Sequence, residues 1–167
     1  MAETAYPDAN LGLSRGRLAE VFDTQFQFTD RPAPVPADIR ADWRVPLLML
    51  IVNSCRNKRA SLQQVQAIAW PAIFEECREG FVKALKGNSN PGDLFVRYDP
   101  AVTRAVNLAV GLGLLSWQNR IRLAITDRGR TMLEGILERD NVLMEERMFL
   151  SELGTITMIS VDRILGR

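Results

Sequence analysis

Residues 94–137, LFVRYDPAVTRAVNLAVGLGLLSWQNRIRLAITDRGRTMLEGIL, constrain the fold more than any other stretch, because their local signals come in a set order: strand, helix, two-stranded hairpin, helix. Asp99 can accept the orphan N–H groups that open a helix, and Pro100 follows where a missing N–H costs nothing, so a helix is expected from Pro100. Val102, Ala105, Val106, Ala109 and Val110 recur at helical spacing, and Gly111 or Gly113 offers the left-handed residue that stops such a helix. Residues 114–117 then read as a strand. Ser116, Gln118 and Asn119 suit a turn, and residues 120–125 alternate polar or small with apolar, as a strand with one buried face should. Thr126 is expected to cap a further helix lined by Met132, Leu133, Ile136 and Leu137, with Gly129 weakening its first turn. This order reads as the back half of a winged helix, with the hairpin as its wing.

Upstream, Asp38 or Asp42 can begin a first core helix in which Pro46 is tolerated near the start. Residues 43–55 are apolar on nearly every face, the mark of a helix enclosed on all sides, and Asn57-Lys58-Arg59 ends it. Ser61-Leu62-Gln63-Gln64 matches a capping box for a second helix that buries Leu62, Val65, Ile68 and Ala69. Trp70-Pro71 is expected to break the chain direction, and residues 72–85 to form a third helix with Phe74, Cys77, Phe81 and Leu85 as its apolar side. A loop over residues 87–92 would then deliver residues 94–98 as the third strand of the sheet. After the hairpin, residues 142–153 read as a helix ended by Gly154, and Thr157 as the cap of a short last helix through Leu165.

The amino-terminal part differs in character. Residues 11–28 suggest a short helix, Phe22, Phe26 and Phe28 crowd a polar segment, and the prolines of residues 29–36 favour an extended, stiff linker. Such an aromatic arm either folds back on its own domain or docks on another chain. The layout is therefore an arm and linker over residues 1–37, a winged-helix domain over 38–140 and a carboxy-terminal helical extension over 141–167. The fold class is mostly α with a small β-sheet.

A chain of 167 residues can bury a core unaided, and a net charge of +1 gives no bulk attraction to nucleic acid or to an anionic membrane, so any basic surface must be local. There is no histidine, which removes the commonest catalytic base. Gly111-Leu112-Gly113 lacks the lysine and the spacing of a phosphate loop. Glu75-Glu76 and Glu145-Glu146 read as solvated faces beside Arg78 and Arg147 rather than as metal carboxylates. Cys55 and Cys77 are not a metal-ligand pair and are expected to be buried free thiols in a reducing cytoplasm. No signal peptide is evident, and the apolar run over residues 46–52 is far shorter than the roughly 20 residues a bilayer crossing needs. A non-enzyme without cofactor or metal is the expectation.

For nucleic acid the candidates are Arg104 and Asn107 on the helix before the wing, Arg120 and Arg122 in the wing, and Arg128 and Arg130 after it. The helix itself argues against sequence readout, because besides Thr103, Arg104 and Asn107 it has almost no side chain that reaches a base edge. For a protein partner the candidates are Phe22, Phe26 and Phe28 of the arm, with Phe149 and Leu150 of the carboxy-terminal helices.

Several phrases together carry a family resemblance. LMLIVNSCRNKRASL over residues 48–62, FVRYDPA over 95–101 with Arg104-Ala105, TDRGR over 126–130, and FLSELG over 149–154 with Ile156-Thr157 resemble the small middle component of three-component ABC systems, bacterial operons of the Lamassu anti-phage kind. The resemblance spans about residues 47–165 and leaves the arm outside. It implies an accessory subunit that assembles with an SMC-like coiled-coil ATPase and an effector nuclease, and it supplies no catalytic motif; the arginines themselves, apart from the resemblance, are what could touch double-stranded DNA non-specifically through its phosphates. The alternative from the residues themselves is a winged-helix DNA-binding transcriptional regulator.

Overall fold

The computed structural model describes residues 40–87 and 96–165, all within the unit formed by residues 35–167. The arm with Phe22, Phe26 and Phe28, the short helix expected over residues 11–28 and the proline linker lie outside the described residues. What is described is mostly helical with a small three-stranded antiparallel sheet: α1 (Ala41–Ser54), β1 (Arg59–Ser61), α2 (Leu62–Ile73), α3 (Arg78–Leu85), α4 (Pro100–Gly111), β2 (Leu115–Gln118), β3 (Arg122–Ile125), α5 (Asp127–Leu137), α6 (Met144–Leu153) and α7 (Met158–Ile164).

Helix α1 is the centre. Every residue from Arg44 to Val52 is buried, and α2, α4, α5, α6 and β3 all pack on it. Asp42 does not cap it but sits in its first turn, Arg40 is the N-cap residue without a side-chain cap, and Asp38 lies outside the described residues. Pro46 lacks the N–H that would reach the Asp42 carbonyl, but Asp42 is exposed and water can serve that group.

Two short turns set the sheet. After α1, Asn57 and Lys58 both take positive φ, at 59° and 54°, and the chain emerges as β1. Strand β1 is the third strand, in the order β1-β3-β2, with Arg59 opposite Ala124, Ala60 opposite Leu123 and Ser61 opposite Arg122. The strand expected over residues 94–98 is therefore corrected: residues 96–99 take no strand, and the edge of β3 is already occupied by β1. Ser61 closes β1 and caps α2 at once, accepting from the Gln64 N–H at 3.2 Å while Gln64 Oε1 accepts from the Ser61 N–H at 2.9 Å.

Pro71 does not end α2, which runs to Ile73 before a 3-10 turn over Glu75–Cys77 leads into α3. A proline in the final turn removes little, and the Arg78 guanidinium donates to the Pro71 and Ala72 carbonyls at 3.3 and 3.2 Å, serving groups the helix end leaves open. On the expected apolar side only Phe81 is fully buried, with Phe74 exposed and Leu85 half-buried.

Helix α4 starts as expected: Asp99 Oδ1 accepts from the Ala101 N–H at 2.7 Å and Pro100 stands at the first position. It ends in a Schellman motif about Gly113 (φ 69°), whose N–H donates to the Val110 carbonyl while the Leu114 N–H reaches Ala109, both at 2.9 Å. The hairpin follows one residue later than expected. Ile121 N–H donates to the Gln118 carbonyl at 3.1 Å across Asn119 and Arg120, both at positive φ (50° and 59°), as a type I′ turn requires. Arg120 and Ile121 therefore leave the strand, and β3 begins at Arg122 rather than Arg120.

Thr126 caps α5, accepting from the Gly129 N–H at 3.0 Å, and its hydroxyl lies 2.6 Å from the Gly113 carbonyl oxygen. Gly129 is not a weakness in that turn. A Cβ there would lie 2.1 Å from the Leu114 carbonyl oxygen and 2.8 Å from Met49 Cε, so only glycine lets α5 come this close. Helices α6 and α7 are no appendage either. Phe149, Leu150, Ile156, Val161 and Ile164 belong to the same buried cluster as α1, and the Arg56 N–H donates to the Ile156 carbonyl (2.9 Å) while the Ile156 N–H donates to that of Ser54 (3.2 Å). Among the described residues no helix is long and apolar enough to cross a membrane.

Candidate functional site

The outward side of α4 is the first surface to consider. Val102, Ala105, Val106 and Ala109 face inward, and Arg104, Asn107, Leu108 and Gly111 face out, with Leu108 at 41% and Leu112 at 43% exposure. Thr103 is committed elsewhere. Its hydroxyl is 2.8 Å from the Tyr98 hydroxyl and accepts from Gln66 Nε2 at 3.1 Å. Gln66, buried in α2, also donates to the Asp99 carbonyl (3.0 Å) and accepts from the Asp99 N–H (3.1 Å). Asp99 itself pairs with the buried Arg44 guanidinium at 2.8 Å. This network pins the start of α4 to α1 and α2, and leaves Arg104 and Asn107 as the polar side chains on its open face.

The remaining cations part into separate environments. Arg120 and Arg122 are exposed on the hairpin. Arg128 lines an apolar groove of about 720 Å³ with Pro46, Leu108, Leu112, Leu114 and Met132, between α1, α4 and α5. Arg130 is held by Asp127, three residues before it on α5. Of the six candidate nucleic-acid residues, Arg130 is engaged by Asp127, and Arg128 lines the groove that borders the open face of α4.

Opposite residues of antiparallel strands project to the same face, so the register divides the sheet. Leu115, Trp117, Leu123, Ile125 and Ala60 share one face, where Leu115, Leu123 and Ala60 are buried. Arg59 and Arg122 share the other with Ser61, Ser116, Gln118 and Ala124. Arg59 escaped the sequence reading because it meets Arg122 only through strand pairing across the chain; the signal available was the basic run Arg56-Asn57-Lys58-Arg59.

Of the two partner-binding candidates on α6, Phe149 is corrected by its burial, whereas Leu150 lines a groove beside that helix. Phe149 is 4% exposed, with its ring centroid 6.4 Å from that of Phe81 and the Arg78 guanidinium 5.6 Å over its face. The open side of α6 carries Met144 and Met148, which with Leu50, Leu137, Arg147 and the candidate Leu150 line a second groove of about 760 Å³. Methionines adapt to irregular partners, so this groove is the more apt contact surface on that helix.

Cys55 is buried and free, and burial pushes its thiol up to about 12. Cys77 is free but only half-buried, against expectation, with its thiol raised by burial and then by the neighbouring Glu76 carboxylate. Neither is a low-pKa nucleophile. Among the described residues no group of three or more histidine, cysteine, aspartate or glutamate side chains is gathered to hold a metal ion. Compared with protein-family models, curated proteins and solved structures, the chain matches none.

Proposed function

We propose that this chain is a non-catalytic winged-helix accessory subunit that assembles, in the cytoplasm, with an SMC-like coiled-coil ATPase and an effector nuclease in bacterial anti-phage or anti-plasmid defence. In this reading α1, α2 and α4 are the three helices of the winged helix, β1-β3-β2 is its sheet and the β2–β3 hairpin its wing. Residues 74–99, with α3, are an insertion between the second and third helices. The assembly partners come from the sequence resemblance set out above.

The observation that supports an assembly role is the open face of α4. A helix that reads the major groove needs several donors and acceptors at base edges. Here Arg104 and Asn107 stand beside Leu108 and Leu112, and Thr103 is tied into the Gln66 network. Exposed leucines beside an apolar groove suit a protein surface better than base edges.

Co-expression with the products of the neighbouring genes tests the reading: a stoichiometric complex with a coiled-coil ATPase, surviving gel filtration, is the expected result. If instead the isolated protein binds duplex DNA with sequence preference at physiological salt, through Arg104 and Asn107, it is a transcriptional regulator and the accessory role fails.

A further inference from the structure

We propose that the outer face of the sheet is a sequence-independent binding surface for a nucleic-acid duplex, gripping phosphates through Arg59 and Arg122, with Arg56 and Lys58 at one end and Arg120 at the other. The proposal rests on the reading above only in taking the hairpin as the wing. It moves the contact off α4 and brings in β1 and the turn before it.

The charge is segregated before the chain folds. Residues 43–74 contain Arg44, Arg56, Lys58 and Arg59 but no aspartate or glutamate, and residues 100–126 contain Arg104, Arg120 and Arg122, again without an acid. Strand β1 comes from the first stretch and β2 and β3 from the second, so pairing lays two acid-free segments side by side. Arg59 stands opposite Ala124 and Arg122 opposite Ser61, which sets the two arginines one diagonal apart on the same face, about 7–8 Å between backbones. Like charges so placed repel. Yet all five cations are exposed, and among the described residues none of their side chains makes an ion pair or a hydrogen bond that would offset the repulsion.

The turns add to this. Asn57-Lys58 and Asn119-Arg120 each put an asparagine and then a cation into the left-handed region, where glycine would fit the second position without strain. One turn leads into β1 and the other joins β2 to β3, so a strained cation marks each end of the face.

The chemistry favours a duplex over other anionic partners. Arginine's planar fork matches phosphate oxygens, and four of the five cations are arginine. A membrane-binding surface joins its cations to a broad apolar face, whereas the exposed apolar side chains of the hairpin are Ile121 at its tip and Trp117, which the register puts on the face away from Arg59 and Arg122. On the three strands and their turns the amides beside the cations are Asn57, Gln118 and Asn119, too few for base readout, hence the independence of sequence.

The test uses the full chain and a labelled 20-base-pair duplex of arbitrary sequence, with binding followed by fluorescence anisotropy between 50 and 200 mM salt. Each phosphate contact removed reduces the slope of log K against log salt by about 0.9, so Arg59→Ala with Arg122→Ala is expected to reduce it by about 2. Arg120→Gly, which relieves the turn, is expected to reduce it by about 1 with no fall in Tm. Arg104→Ala with Asn107→Ala should leave it unchanged. Absence of duplex binding at 50 mM salt, an unaltered slope in the Arg59/Arg122 variant with an unaltered Tm, or loss of binding in the Arg104/Asn107 variant would each overturn the proposal. So would tighter binding to phosphatidylserine vesicles than to the duplex. Complex formation with the ATPase is measured separately on the Arg59/Arg122 variant, where it should persist, so the two readings can fail independently.

Discussion

Helices α1 and α4 are similarly apolar on paper and differ sharply in place. In α1 every residue from Arg44 to Val52 is out of water, because helices on several sides and the sheet close around it. In α4 the buried side is built of valine and alanine, small enough to let its backbone approach α1 and α2, and the opposite side stays open with Leu108 and Leu112 half in water. Apolar content therefore says that a helix wants company, and the size of its residues says how close. The number of covered faces depends on what the rest of the chain brings.

That contrast can be broken most directly by cavity formation. Ile51→Ala, in the middle of α1, is expected to lower stability by about 3–4 kcal/mol, while Leu108→Ala on α4 should stay within about 0.5 kcal/mol of wild type, both by urea denaturation. Equal losses would mean that the two helices are not different in kind. Gly129→Ala tests how tightly the surroundings of α1 are closed: the added methyl meets the Leu114 carbonyl and Met49, and a loss of about 2–3 kcal/mol is expected, against near-neutrality if α5 can slide outward.

The smallest effect concerns Cys55, at the foot of α1. Burial raises its thiol to about 12 from an ordinary 9.0. The folded state thus favours the protonated form. Its contribution is complete below about pH 9, where the unfolded thiol is also protonated, and is lost as pH rises from there toward 12. Between pH 8 and pH 10 the wild type should lose about 1.4 kcal/mol more than Cys55→Ala in parallel urea titrations. Matching losses would place the foot of α1 in contact with water.

What could be read in the sequence was local. The Ser61/Gln64 box, the Asp99-Pro100 start, the Gly113 stop, the Thr126 cap and the Gly154 stop each act over a few residues, so residue types at fixed offsets reveal them. What was missed is non-local. Strand β1 has three residues and no alternation to detect, and it is a strand only because β3 pairs with it. The Arg44–Asp99 pair joins residues 55 apart, and Gln66 reaches 37 residues to Thr103. Gly129 looked like a lapse in helix propensity because its close neighbour, the Leu114 carbonyl, is a backbone atom that no sequence pattern displays. The same holds for function. Arg104, Asn107, Arg120 and Arg122 are legible as exposed cations and an amide on expected elements and Arg59 is not, while Phe149 reads as a contact residue because its cover, Phe81 of α3, lies far away in the sequence.

The tie between the end of α1 and Ile156, with Phe149 and Leu150 packed nearby, has a consequence for biosynthesis. The central helix of the domain is made early, and part of its wrapping is made about a hundred residues later. At ribosomal speeds that is on the order of ten seconds during which a nascent chain carries a bare, sticky rod. Holdase chaperones have that interval in which to bind it, and slow translation of the 3′ part of the message should lower soluble yield.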